Sequence, residues 1–175
     1  MKIWFLKMFW VPWSLLTFRE FKKSDGRAYF ALIKVNKRHL YTFARSVSTT
    51  CSTLGRTKRY IESSIKKKNY KLIGIWHLGV LIGSVDISFE KDGCEIGLWI
   101  AEQHSQRGFA TKMTRAVVRY IHVFHPKIEI IIASTDHRNA ASKRVLEKAG
   151  FVLVSDDSIF KNEGRSKGHL YVHEG

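Results

Sequence analysis

At 175 residues with only two cysteines, Cys51 and Cys94, the chain is long enough to bury roughly 70% of its unfolded surface without disulfide staples, which points to a reducing compartment, the cytoplasm. Its net charge of +15 is lopsided: residues 1–71 carry 17 Lys and Arg against 3 Asp and Glu, whereas residues 72–175 carry 13 against 12. Such a front half repels polycationic small substrates; it either apposes something anionic, such as RNA or an acidic protein, or is simply well solvated.

Residues 1–16, MKIWFLKMFWVPWSLL, read as an apolar extension ahead of a single domain over 17–175. Pro12 interrupts the run, unlike a secretory signal, and the run is shorter than the ~20 apolar residues of a spanning helix. It packs on the domain or on another chain, or rests on a membrane surface; the sequence leaves these open.

Residues 14–21 alternate as a first strand. Ser24 or Asp25 is placed to cap a helix whose apolar positions are Tyr29, Leu32, Ile33 and Val35. Residues 38–56 lack a period and read as loop with some helix. Thr57 is placed to cap a second helix with Tyr60, Ile61 and Ile65 on one face and Lys66, Lys67 and Lys68 at its end. Three strands follow as a meander: YKLIGIW, VLIGSVDISF and CEIGLWI, joined by turns at His77-Leu78-Gly79 and Lys91-Asp92-Gly93. The spacing of Ala110, Met113, Thr114, Val117, Val118 and Ile121 predicts a helix over 108–123. IEIIIAS is a continuous apolar run, expected of a central strand covered on both faces. A helix over 139–149 stops at Gly150, and FVLV and HLYVH complete the sheet. The order implies an α/β (α+β) fold: one mixed, mostly antiparallel sheet with helices on both faces.

Two stretches carry chemistry. Gly108 closes a short loop between the strand CEIGLWI and a helix, so the amides of Gln106, Arg107, Gly108, Phe109, Ala110 and Thr111 would face outward at the positive end of the helix dipole, a seat for phosphate. Arg107 and Lys112 add charge. An ordinary helix start with a loop glycine is the alternative. His122 and His125 share a helix end, but no carboxylate or cysteine completes a zinc set, so no metal is expected. His137 reads as a loop histidine that could touch a ligand. No Gly-x-Ser-x-Gly motif marks a nucleophile, so no covalent intermediate on the protein is expected.

The order of these motifs resembles the acetyl-CoA region of the GNAT N-acetyltransferases. Gly108 and Ala110 match that family's Gly-x-Gly/Ala, Ser105 stands where it has Gln or Arg, and residues 139–151 resemble its second coenzyme-contacting helix. The likeness implies that the main chain of Trp99, Ile100 and Ala101 pairs with the pantetheine arm of acetyl-CoA. It implies also that a backbone N–H near Leu98 or Trp99 polarises the thioester, that residues 106–111 hold the diphosphate, and that Asn139 contacts the coenzyme. EIGLWI and Asn139-x-x-Ser142 are most similar to the branch that acetylates protein N-termini, ribosomal proteins among them. That branch commonly has Tyr where Leu98 stands, and many relatives have Tyr where Leu146 stands. Ser142 then becomes the candidate hydrogen-bond donor to the departing thiolate.

Glu95 is the first candidate for general base and Asp86 the second; an ordinary exposed strand carboxylate is the alternative for Glu95. Deprotonation at pH 7 costs about 1.4 kcal/mol for an α-amine and about 4.6 kcal/mol for lysine, so a weakly marked base leans toward α-amines. The acceptor is expected to be a protein or RNA-associated amine, with aminoacyl-tRNA as an alternative substrate. A non-catalytic basic binding module on the same fold is the other alternative, and a second copy of the chain is a further candidate partner.

Overall fold

The computed structural model describes residues 16–160 and 166–174; the apolar extension therefore lies almost wholly outside the described residues. In chain order the elements are β1 (Leu16–Glu20), a 3-10 turn (Lys23–Asp25), α1 (Gly26–Val35), α2 (Lys37–Phe43), α3 (Arg45–Thr50), α4 (Leu54–Lys66), β2 (Tyr70–His77), β3 (Val80–Phe89) and β4 (Gly93–Ile100). A second 3-10 turn (Glu102–His104), α5 (Phe109–Phe124), β5 (Ile130–Asp136), α6 (Ala140–Lys148), β6 (Val152–Phe160) and β7 (Ser166–Glu174) follow. The strands form one sheet in the order β1-β2-β3-β4-β5-β7-β6, antiparallel except where β4 meets β5.

The meander forms where its turn residues allow it. Leu78 and Gly79 both have positive φ, 53° and 79°, the backbone that a tight two-residue hairpin between twisted strands requires. Alternation along the strands then splits the apolar residues between two cores. Ile73, Ile75, Val85, Ile87 and Ile96 meet Met113, Val117 and Ile121 of α5 on one face. Phe21, Leu72, Leu81 and Trp99 meet Tyr29, Ile33, Leu40 and Ile61 of α1, α2 and α4 on the other. Helices therefore cover both faces of a mixed sheet, as expected.

Local assignments differ in instructive places. Residues 38–56 are mostly helical; α2 and α3 have seven and six residues, too short to display a period. Thr53, not Thr57, caps α4: its hydroxyl accepts the Arg56 N–H at 3.2 Å. Thr57, one turn later, is fully buried and donates back to the carbonyls of Thr53 and Cys51 at 2.9 and 3.3 Å. Asp25 stands at the head of α1 but does not cap it; its carboxylate pairs with Arg19 at 2.6 and 2.9 Å and accepts the Lys22 N–H. Val35 and Ile65 are exposed, because the buried lines run through Tyr29 and Ile33 in α1 and through Thr57, Ile61 and Ser64 in α4. β5 has strand neighbours on both sides, yet its burial alternates: Ile131, Ala133 and Thr135 are buried while Ile130 is exposed. β6 and β7 are longer than their apolar runs. Among the described residues no helix is long and apolar enough to cross a membrane.

Candidate active site

β4 and β5 are joined only at their beginnings. The parallel ladder pairs Gly93, Cys94 and Glu95 with Ile130, Ile131 and Ile132, then stops, although β4 continues to Ile100 and β5 to Asp136. Among the described residues, β4 from Ile96 to Ile100 has β3 as its only strand partner. Its other edge therefore presents main-chain donors and acceptors to a gap in the sheet, which a ligand amide could satisfy. Of the three residues expected to pair with the pantetheine arm, Ile100 turns its main chain to that gap, as do Ile96 and Leu98, whereas Trp99 is in a hydrogen-bonding register with Ser84 of β3 and turns its main chain away from the gap. Ala101 lies just past it, with its N–H bonded to the Ile82 carbonyl and its own carbonyl accepting from His104, both at 2.8 Å.

At the mouth of this gap the chain turns into α5. Gln106 and Gly108 have positive φ, 60° and 75°, and Gly108 is the N-cap, with no side chain capping the helix. The first backbone bond of the helix runs from the Lys112 N–H to the Gly108 carbonyl at 3.1 Å. The amides of Phe109, Ala110 and Thr111 thus point out of the helix start. A Cβ built on Gly108 would meet nothing within 4 Å, so this glycine is required by its backbone angle and the space beside it is open. Ser105, Gln106, Arg107 and Lys112 are exposed around the rim. The combination fits a diphosphate-bearing coenzyme whose arm continues along β4.

On the other side of the gap, α6 starts at Asn139, whose side-chain oxygen accepts the Ser142 N–H at 3.1 Å. That oxygen is engaged as a helix cap, so Asn139 is a structural residue before any ligand is considered. Ser142 is half-buried in the first turn. The helix closes with the amides of Gly150 and Phe151 bonded to Glu147 and Leu146 at 3.1 and 3.0 Å, a Schellman end that uses the positive φ of Gly150. Arg115 of α5 donates to the Lys148 carbonyl, fixing α5 to the end of α6.

Glu95 is the last rung of the β4–β5 ladder, and Asp86 stands one strand away, on β3. Glu95 is half-buried and hydrogen-bonded to Ser134 of β5; burial pushes its pKa up, the Ser134 bond pulls it down, and the charge of Glu90 raises it. Asp86 of β3 sits in register with Gly97 of β4, and a Cβ at Gly97 would lie 2.7 Å from its Oδ1. The missing side chain makes room for the carboxylate. Burial first, and the charge of Glu95 second, push Asp86 up to about 6. Tyr60 of α4 and Tyr70 of β2 share a hydroxyl contact at 2.8 Å on the same side, and the charge of Asp86, after burial, raises the pKa of both. The sequence marks Asp86 less clearly than Glu95 and gives no sign that Tyr60 and Tyr70 meet beside it. The pattern Ser84-Asp86-Ser88, alternating with Val85 and Ile87, was the signal that one face of β3 carries polar groups beneath α4.

The histidines are dispersed. His122 faces His173 with ring centroids 5.5 Å apart, His125 stacks on Phe89, and His137 meets His169 with 2.7 Å between Nδ1 and Nε2. Among the described residues no group of three or more His, Cys, Asp or Glu could hold a metal ion.

The family model described as "Acetyltransferase (GNAT) domain" matches residues 16–152. The chain belongs to the GNAT acetyltransferase family. The coenzyme A complex of RimL, a ribosomal L7/L12 alpha-N-protein acetyltransferase, is a structural neighbour of this GNAT protein at 17% identity and TM-score 0.81, over 91% of this chain and 94% of that one. A ribosomal-protein-S5-alanine acetyltransferase from Vibrio fischeri superposes at 16% identity and TM-score 0.78, covering 93% and 94%. The aminoglycoside acetyltransferase AAC(6')-Ib with coenzyme A does so at 18% identity and TM-score 0.75, covering 91% and 94%. At these identities the neighbours fix the fold. No curated protein sequence matches the chain.

Proposed function

We propose that this GNAT protein moves the acetyl group of acetyl-CoA to the α-amine of a protein N-terminus, such as that of a ribosomal protein. The observation that carries the reading is the parting of β4 from β5 beside the uncapped start of α5. Amides 109–111, with Arg107 and Lys112, suit the diphosphate, and the free edge of β4, with the main chain of Leu98 and Ile100, suits the pantetheine amides. A backbone N–H near Leu98 or Trp99 polarises the thioester carbonyl.

The acceptor nitrogen attacks the carbonyl carbon, forming the C–N bond, and loses one proton to the Asp86–Glu95 pair. Breaking the C–S bond releases coenzyme A as a thiolate that accepts a hydrogen bond from Ser142, directly or through water. Asp86 suits the base role because its pKa of about 6 keeps it ionised at pH 7 yet closer to the amine than an ordinary carboxylate. Two ribosomal-protein acetyltransferases among the neighbours lend further support to an α-amine. We place the reaction in the cytoplasm, which two buried, free cysteines suit, and assign it to one domain over 17–175.

Calorimetry with acetyl-CoA, followed by acetyl transfer to short peptides with free or blocked N-termini, tests this. Micromolar coenzyme binding and labelling confined to free N-termini are expected. No binding at high micromolar coenzyme overturns the enzyme reading; labelling of lysine alone overturns the acceptor.

A further inference from the structure

Between Asp25 and Glu62 the sequence holds eight Lys and Arg and no Asp or Glu. All eight are exposed on α1–α4 or the segments joining them. A surface evolved only for solubility intersperses the two signs; this one does not. Where α1 meets α2 it opens a groove of about 510 Å³, lined by Lys34, Val35, Lys37, Arg38, Tyr41 and Thr42. Within that ring of charge Val35 is 77% exposed and Tyr41 52% exposed. The Arg45 guanidinium lies 4.7 Å from the Tyr41 ring centroid, holding the ring from one side. Among the described ion pairs none involves Lys34, Lys37 or Arg38.

The junction behind the groove is anchored to the segment that follows β4. Asn36, buried at the α1–α2 junction, donates to the Leu32 carbonyl at 2.9 Å and accepts the Glu102 N–H at 2.8 Å. Glu102 begins the segment that leads into the loop at 106–111, so the α1–α2 junction is bonded to the stretch of chain before that loop.

We propose that the groove between α1 and α2 docks single-stranded RNA, with a base stacked on Tyr41 and phosphates on Lys34, Lys37 and Arg38. Cations without counter-charges select a polyanion, and an exposed aromatic ring among them adds the sequence-tolerant stacking that distinguishes nucleic acid from an acidic peptide. This deepens the anionic-partner reading of the basic front half and names its site. It does not depend on acetyl transfer, so the two stand or fall separately.

The test is fluorescence anisotropy of the full chain with a labelled 12-nucleotide oligouridylate between 50 and 200 mM KCl. Three phosphate contacts predict a log–log salt slope of about −2, roughly a twentyfold loss over that range. Tyr41→Ala should weaken binding about tenfold with the slope unchanged, and Tyr41→Phe should restore it. Lys37→Gln should reduce the slope by about 0.7. Circular dichroism confirms that each variant is folded. Equal binding by folded Tyr41→Ala overturns the proposal, as does absence of binding at 50 mM KCl. Tighter binding of a labelled polyglutamate peptide that ignores Tyr41 also overturns it and assigns the groove to an acidic protein.

Discussion

Asp86 occupies a position that folding alone disfavours. A carboxylate whose pKa rises to about 6 is less stable ionised in the fold than in the unfolded chain. The penalty is absent below the ordinary carboxylate pKa, grows as pH rises from about 4 to about 6, and is complete above that. Asp86→Asn should therefore raise the melting temperature at pH 8 and leave it nearly unchanged at pH 4, as thermal unfolding at the two pH values will show. Activity should move oppositely. With an α-amine acceptor of pKa near 8, log kcat/KM should rise with a slope of two below about pH 6 and one from there to about pH 8. In Asp86→Asn the steeper segment should vanish and the rate should fall by roughly 10²–10⁴. Gly97→Ala probes the same contact sterically. Its Cβ would press on the Asp86 carboxylate, so a loss of about 1–3 kcal/mol in denaturant unfolding should accompany the loss of rate.

At the scale of the element, α5 shows why part of the site was legible in the sequence. A glycine between a strand and an amphipathic helix can be read directly, and Gly108 does adopt the positive φ that only glycine takes without strain. Gly150 marks the end of α6 equally plainly. Gln106 could not be read this way, since nothing in a glutamine announces a left-handed backbone. The choice of Thr53 over Thr57 was hidden too: the two lie one turn apart, and burial of Thr57 against Cys51 decides it. Asp86 gave a period-two signal, but its opening at Gly97 depends on strand register, which appears only once the meander pairs. Gly108→Ala tests the helix start. Forcing a Cβ into this backbone should cost about 1–2 kcal/mol of stability. Because the same angle aims the amides of 109–111, acetyl-CoA affinity measured by calorimetry should fall by at least tenfold.

For the whole molecule the question is why so lopsided a charge is tolerated. The front half of the chain carries 17 basic and 3 acidic residues, and packing α1–α4 on one face of the sheet gathers most of that charge on one side. Like charges at this density repel one another and destabilise the compact state. Screening measures the cost. The Debye length falls from about 30 Å at 0.01 M salt to about 8 Å at 0.15 M. The melting temperature should therefore rise by several degrees when KCl is raised from 10 to 150 mM, since about 1 kcal/mol corresponds to 2–4 °C at this size. Lys58→Glu combined with Arg59→Glu should raise the melting temperature at 10 mM and flatten the dependence, without touching the gap, Asp86 or the groove at Tyr41. A flat response in the unmodified chain would mean that the face carries no electrostatic strain and needs no partner to relieve it. A steep one means that the protein keeps a destabilising surface, and a polyanion bound there should stabilise the fold by about 2.7 kcal/mol at a hundred times its Kd.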